Sequence, residues 1–249
     1  MSTAHPALTR TAGTAGRVLR QLRHDPRSIA LLVVLPSVLL ALFKYVYQGA
    51  DQLFDRIGPQ LMGIFPFIVM FLITSVTMVR ERTSGTLERL FTTPLRRSEL
   101  VAGYGLAFGA AALAQSLVTV LVAIDLLGLS VRSVWVVVLF AVLDALLGTA
   151  LGLLFSAFAA TEFQAVQFMP AVVIPQILLC GLLNPRSGMA PLLRWISDVL
   201  PLTYATDAFT RASESSRLTG LMWRDLAALV GFLALSIALA ASTLRRRTA

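Results

Sequence analysis

Long apolar runs, separated by shorter polar stretches, dominate the sequence. At about 1.5 Å per helical residue, each run crosses most or all of a hydrocarbon core of roughly 30 Å. The runs lack the two-residue alternation of barrel strands, and lipid offers the backbone no hydrogen-bond partner. The pattern predicts an all-α polytopic membrane protein with six transmembrane helices. They are expected at residues 29–47, 61–79, 100–127, 135–158, 165–183 and 226–244.

The stretches between these runs suggest how the chain is organised. Residues 1–28 are expected to be a basic cytoplasmic segment, and residues 29–249 a single transmembrane domain. Two connections are longer than a tight loop: a segment at 80–99, expected in the cytoplasm, and a segment at 184–225, expected outside the cell. Long connections in a compact protein are usually functional.

The N-terminal segment interleaves apolar and basic residues before Asp25 and Pro26, which predict a helix start. The interleaved residues are Arg17, Val18, Leu19, Arg20, Leu22 and Arg23. This basic amphipathic pattern predicts an interfacial helix on the inner leaflet. A frayed basic tail is the alternative.

Composition narrows the class of protein. Of 249 residues, 57% are hydrophobic and 14% charged, against about 25% charged in soluble domains. Together with a mean hydropathy of +0.78, this excludes a soluble enzyme and a disulfide-stapled secreted domain. The net charge of +8 then favours an anionic lipid surface over nucleic acid as a partner.

Arginines in the flanks of the runs predict the orientation. They concentrate in the N-terminal segment, in the segment after the second run and in the C-terminal tail. Because positive flanks stay inside, both termini are expected in the cytoplasm. Trp135, Trp195 and Trp223 then fall near the outer interface, as in an aromatic belt.

The segment 80–99 carries an apolar stripe at helical spacing, formed by Leu87, Leu90 and Phe91. Pro94 ends the stretch, because the residue before a proline avoids helical geometry. The stripe fits a short helix that merely links two spans. It fits equally a helix that docks into a groove on a cytoplasmic partner.

A resemblance to a known family favours docking. The run from Glu81 to Leu90, ERTSGTLERL, followed by Pro94 and Leu95, resembles the signature of ABC-2 type transporter permeases. The external segment, with Pro191 and Pro201, is similar to the region where that family has short re-entrant or interfacial helices. Asp25-Pro26 and a proline inside the first run resemble its drug- and antibiotic-exporter branch. The family tends to carry Gly-Lys where this chain has Gly103-Tyr104.

The resemblance implies the membrane subunit of an ATP-driven exporter in a bacterial cytoplasmic membrane. Two ABC ATPase subunits would bind ATP and Mg, and the permease would form a homodimer or a heterodimer with a related permease. The substrate would be hydrophobic or amphiphilic, such as a drug, an antibiotic or a lipid, so antibiotic resistance is an expected role. The implied ATPase-coupling residues are Glu81, Gly85, Thr86, Leu87, Glu88, Leu90, Phe91 and Pro94.

Motifs for chemistry on this chain itself are missing. The sequence contains no Gly-x-x-x-x-Gly-Lys-[Ser/Thr] phosphate loop, so a separate chain would have to hydrolyse ATP. Its two histidines, His5 and His24, precede the first run and offer no base within the membrane. We expect no catalytic residue, no metal site and no cofactor bound by this chain.

Polar groups inside the runs are further candidates, because an ionisable group at membrane depth is usually functional. Asp144 shares one helical stripe with Gly148, and the fifth run carries glutamines together with Pro170 and Pro175. Asp144 could line a substrate path, lie at a subunit interface or be a structural acid bonded to a neighbouring helix. The prolines of the fifth run could serve a moving gate or simple helix packing. The candidate path or dimer residues are Asp144, Gly148, Gln164, Gln167 and Gln176.

Two other functions stay open. A proton-coupled secondary transporter could use Asp144 as its titrating group, although the chain shows no convincing internal repeat of the kind common in such proteins. A non-transporting membrane scaffold is the third possibility.

Overall fold

A computed structural model describes residues 4–85 and 97–246, and all regular secondary structure within them is helical. Six helices of this described part are long and apolar enough to cross a membrane, which confirms the predicted fold class. In chain order the helices are α1 Ala4–His24, α2 Pro26–Val46, α3 Asp51–Thr83, α4 Arg97–Leu121, α5 Val134–Ser156, α6 Glu162–Leu179, α7 Pro191–Asp198, α8 Pro201–Glu214 and α9 Gly220–Arg246.

Two of the spanning helices contain a π-helical turn. In α2 it covers Ala30–Val34, and in α4 it adds Val122–Leu126 to the outer end. At the start of α2 the Asp25 carboxylate accepts hydrogen bonds from the backbone N–H groups of Arg27 and Ser28. With Pro26 in the first turn, this is the helix start that the sequence predicted.

Helix α3 is the centre of the bundle. Its most apolar stretch is 78% buried, against 17% in each of α2, α6 and α9. The helix begins at Asp51 instead of residue 61, and it continues past residue 79 to Thr83. Pro59 and Pro66 lie inside it, which membrane helices tolerate because neighbouring groups satisfy the freed carbonyls. The segment expected at 80–99 is correspondingly shorter, since α3 takes its first residues and α4 its last.

Helices α3 and α5 touch almost backbone to backbone. A Cβ atom on Gly148 would lie 2.3 Å from the carbonyl oxygen of Phe67, and one on Gly152 would lie 2.6 Å from that of Phe71. Only glycine allows this approach, and such close packing holds helices together in lipid. Gly148 therefore lies inside the protomer, against α3.

The segment 184–225, expected outside the cell, folds into two short helices, each with its proline in the first turn. Helix α7 exposes an apolar face that includes Trp195, which is 73% exposed. Helix α8 instead lies buried against α3, α5, α6 and α9. The Gln176 side chain of α6 accepts a hydrogen bond from the backbone N–H of Leu202, so α6 holds the start of α8.

Ion pairs between arginines and aspartates join this segment to the N-terminal part of α9. Asp207 of α8 lies 3.4 Å from Arg186, 3.3 Å from Arg211 and 3.9 Å from Arg224. Further pairs join Arg186 to Asp198, and both Arg211 and Arg224 to Asp225. This network connects the loop before α7 with α7, α8 and α9.

Replacing Gly148 with alanine should destabilise the bundle by about 1–3 kcal/mol, because the new methyl group collides with the backbone of α3. Thermal unfolding of the purified chain in detergent measures the effect. Gly105→Ala in α4 is the control, since its Cβ atom would meet nothing within 4 Å. Equal unfolding midpoints for the two variants would show that α3 and α5 do not approach this closely.

Candidate functional site

Glu81, near the inner end of α3, joins three helices. The Arg17 guanidinium of α1 donates to Glu81 Oε1 at 3.3 Å and to the Tyr104 hydroxyl at 2.7 Å. The Tyr104 hydroxyl of α4 donates to Glu81 Oε2, also at 2.7 Å. Glu81 is 7% exposed, so its charge is balanced by Arg17 largely away from water.

Helix α1 lies along α4 with its apolar face buried. Ala15 and Val18 belong to the same buried cluster as Tyr104. A Cβ atom on Gly103 would lie 2.6 Å from the Cβ atom of Thr14, so glycine lets the two helices approach closely. The predicted amphipathic helix is therefore present, and it packs on a spanning helix.

The same helix holds residues on both sides of the segment 86–96. Arg17 pairs with Glu81 before the segment, and Arg10 lies 3.7 Å from Glu99 after it. Arg10 and Arg17 are two turns apart on α1, so one helical face serves both carboxylates. Helix α1 therefore links the two flanks of the segment 86–96.

Arg80 and Arg82 hold the loop between α5 and α6. The Arg80 guanidinium donates to both carboxylate oxygens of Glu162, at 3.0 and 2.9 Å. Arg82 donates to the carbonyl oxygen of Ser156 at 2.8 Å and to that of Ala159. The Arg80–Glu162 pair is exposed and contributes little to stability, but with Arg82 it links the end of α3 to two further spans.

Two ionisable groups at this end have shifted pKa values. Burial acts to lower the pKa of the Arg17 guanidinium, but Tyr104 and Glu81 outweigh it and raise the pKa above its ordinary value. Arg17 therefore keeps its charge. The Ser28 hydroxyl, helped by two backbone N–H groups, lowers the pKa of Asp25, which stays ionised as the cap of α2.

Gly85 turns the chain out of α3 with a φ of +70°. Its N–H donates to the carbonyl oxygen of Arg82, an arrangement common at helix ends, where glycine adopts left-handed geometry without strain. A Cβ atom here would meet nothing within 4 Å, so the backbone angle alone requires glycine. Gly85 thereby sets the direction of the chain at the end of α3.

Of the predicted coupling residues, only Glu81 and Gly85 lie within the described residues. Thr86, Leu87, Glu88, Leu90, Phe91 and Pro94 lie outside them. Sequence reasoning missed Arg17 and Tyr104 as the partners of Glu81, and Arg10 as the partner of Glu99. The available signals were the arginines on the amphipathic face of α1 and the tyrosine in the place of the family's usual lysine.

The polar candidates inside the membrane do not form one site. Asp144 is fully buried within the protomer, and among the described residues neither of its carboxylate oxygens has a hydrogen-bond partner. Gln164 caps the start of α6 by accepting from the backbone N–H of Ala160, and Gln176 holds α8. Gln167 is exposed. Within residues 4–85 and 97–246, no cluster of three His, Cys, Asp or Glu side chains could hold a metal ion.

Comparison with known proteins agrees with the resemblance seen in the motifs. The model of the family described as ABC-2 type transporter matches residues 14–212. The chain is 32% identical over 167 residues to ABC transporter G family member 20 of Dictyostelium discoideum, a match that covers 66% of this chain and 23% of that protein.

Bacterial relatives show a similar level of identity. The chain is 26% identical over 171 residues to the probable multidrug ABC transporter permease YbhR of Escherichia coli, covering 68% of this chain and 46% of YbhR. It is 26% identical over 163 residues to the probable multidrug permease YbhS, covering 65% and 43%. The chain thus spans less than half the length of each of these relatives.

Replacing Glu81 with glutamine should loosen α1, because Arg17 loses its ionic partner while the side-chain shape is kept. The loss of one charged hydrogen bond corresponds to about 5- to 30-fold more frequent detachment. The rate of tryptic cleavage within α1, in membranes, measures this detachment.

The matched control is Glu162→Gln, which removes the partner of Arg80 at the same end of the bundle but does not contact α1. We expect its cleavage rate within α1 to equal that of the unmodified chain. Acceleration in both variants, or in neither, would contradict the proposed role of Glu81 as the anchor of α1.

Proposed function

The chain belongs to the ABC-2 type transporter family, and from that premise we propose that it is the membrane-spanning permease subunit of an ATP-driven exporter. Its substrate is hydrophobic or amphiphilic: a drug, an antibiotic or a lipid-like molecule. ATP and Mg are bound and used by separate ATPase subunits, of which the assembly holds two. The permease pairs with a second copy or with a related permease.

The observation that carries this proposal is the three-way contact of Glu81, Arg17 and Tyr104 next to the segment 86–96. A segment that receives force from an ATPase needs firm attachment to the spans it moves. Here the flanks of the segment are attached to α1, α3 and α4 through Glu81 and Glu99, and to α5 and α6 through Arg80 and Arg82. Binding energy at the segment can thus reach most of the bundle.

In the proposed cycle, the ATPase contacts the segment around residues 86–93 differently in its ATP-bound and ATP-free states. Only such a difference in contact free energy can shift the membrane domain between two conformations. Displacement of the segment turns α3 through Gly85 and Glu81, and α1 follows because Arg10 and Arg17 hold it to both flanks. The outer end then opens to release the substrate.

The distribution of charge and aromatic residues supports the orientation in this proposal. The basic helix α1 and the Arg80–Arg82 cluster lie at one end of the bundle, as expected for the cytoplasmic side. Trp135 and Trp223 lie exposed near the starts of α5 and α9, which belong to the opposite end. This distribution supports the proposed orientation, with both termini in the cytoplasm of a bacterial cell.

The exposed spans support a paired arrangement. Helices α2, α6 and α9 leave most of their apolar surface uncovered within the protomer. Lipid covers part of this surface, and the second permease of the proposed assembly covers the rest. Two permeases then present two segments to two ATPases.

Purification with a cognate ATPase and reconstitution into vesicles test the proposal. We expect ATP hydrolysis that rises with an amphiphilic substrate, together with ATP-dependent movement of that substrate across the vesicle membrane. Full transport without the ATPase, or with an ATPase that binds but cannot hydrolyse ATP, would contradict the proposal. A chain that never co-purifies with an ATPase and moves nothing would favour a scaffold.

Replacing Gly85 with alanine should weaken the contact through which the ATPase and the permease act on each other. The left-handed backbone angle costs alanine roughly 1–2 kcal/mol, so the chain leaves α3 in another direction and the segment is misplaced. We expect substrate-stimulated hydrolysis and transport to fall by about fivefold or more.

Gly49 provides a matched control at the opposite end of α3. Its φ is +89°, and a Cβ atom there would also meet nothing within 4 Å. Gly49→Ala carries the same kind of backbone strain away from the proposed ATPase contact and should leave coupling intact. Equal loss in both variants would point to general strain on α3 instead of a coupling role for Gly85.

A further inference from the structure

Asp144 lies near the middle of a spanning helix. It is about ten residues into α5, or roughly 15 Å along the helix. The side chain is fully buried, and among the described residues no group donates a hydrogen bond to either carboxylate oxygen. An acid in this position is either part of a site or a serious cost to the fold.

The described surroundings of Asp144 place no cation beside its carboxyl group. Beside the carboxyl, α3 presents Gly63, α8 presents Phe209, and the thiol of Cys180 follows α6. Within the described residues that thiol is the titratable group that interacts with Asp144. Glu99 of α4 and Asp225 of α9 are held in ion pairs elsewhere. An isolated carboxylate in such surroundings becomes neutral by taking up a proton.

The space beside Gly63 explains what the site can hold. A Cβ atom on Gly63 would lie 2.1 Å from the Phe209 ring and 2.9 Å from Oδ2 of Asp144. The ring and the carboxyl therefore share the space that a side chain would fill. No organic molecule fits between them in this conformation, and a proton does.

We propose that Asp144 is a proton-binding site, occupied in this conformation, and that Phe209 on α8 is the barrier between its proton and the external solution. When α8 withdraws, the O–H bond of the carboxyl breaks, the proton passes to water and a carboxylate remains. The return of α8 requires the reverse step, because the ionised group cannot be buried again unpaired.

A polar contact continues outward from this site. Gln60 lies one helical turn from Gly63 on α3 and donates to the Thr210 hydroxyl of α8 at 2.8 Å. The side-chain amide oxygen of Gln60 is buried without a partner among the described residues. It can accept a hydrogen bond from water once α8 moves. Gln60 and Thr210 therefore give the proton a polar route beyond Phe209.

Helix α8 is the element whose movement would open the site, because it carries Phe209. It is a short helix packed among α3, α5, α6 and α9, and partly buried ion pairs of Arg211 and Asp207 hold it in place. The proton site concerns the outer half of the bundle and is independent of the proposed coupling to an ATPase.

Infrared spectroscopy of the full chain in lipid nanodiscs, without any ATPase, tests the site. We expect the carbonyl stretching band of a protonated carboxylic acid at neutral pH, and its loss in Asp144→Asn. The matched control is Asp125→Asn, which replaces an exposed aspartate at the end of α4 and should keep the band. Absence of the band in the unmodified chain, or its persistence in Asp144→Asn, would overturn the proposal.

Exchange into heavy water tests the barrier, because deuteration shifts the same band. In Phe209→Ala we expect the shift to develop about tenfold faster or more than in the unmodified chain, since removal of the ring opens the site more often. Phe209→Leu keeps more bulk and should fall between them, which keeps the test valid if the alanine variant is unstable. Exchange at the unmodified rate in both variants would show that Phe209 is not the barrier.

Discussion

The contact between α3 and α5 is the constraint on which the rest of the bundle depends. Lipid is as apolar as the helices, so close packing rather than exclusion of water holds spans together. Gly148 and Gly152 have no side chain, so the backbone of α3 can pack directly against α5 at these positions. Helix α3, fixed in this way, carries Glu81 near its C-terminal end and Gly63 in its N-terminal half. Both sites described above therefore depend on the position of this one helix.

Two buried carboxylates next to this helix have opposite environments. Glu81 lies near the C-terminal end of α3, where an arginine from α1 and a tyrosine hydroxyl from α4 satisfy its charge. Asp144 lies at mid-depth, where the described residues offer it no donor. The carboxylate of Glu81 is therefore suited to a permanent ion pair between helices, and that of Asp144 to reversible proton uptake.

Local patterns in the sequence predicted the elements well, and contacts between distant residues escaped them. Hydropathy revealed six spans, and alternating arginines revealed α1, because both are properties of neighbouring residues. The start of α3 at Asp51 was missed, since polar residues interrupt the apolar run while the helix continues. The partners of Glu81 lie 64 and 23 residues away, and nothing near Glu81 marks them. The burial of α8 was hidden as well, because its buried face is built from alanine and threonine beside Phe209.

The central position of α3 also has a consequence for how the protein is made. It leaves the ribosome before α5 and α8, which cover it. Until they arrive, polar groups of α3 such as Gln60 and Thr74 face lipid or the insertion machinery. Biogenesis therefore cannot finish one span at a time, and nascent chains that stop before α8 lack a completed core.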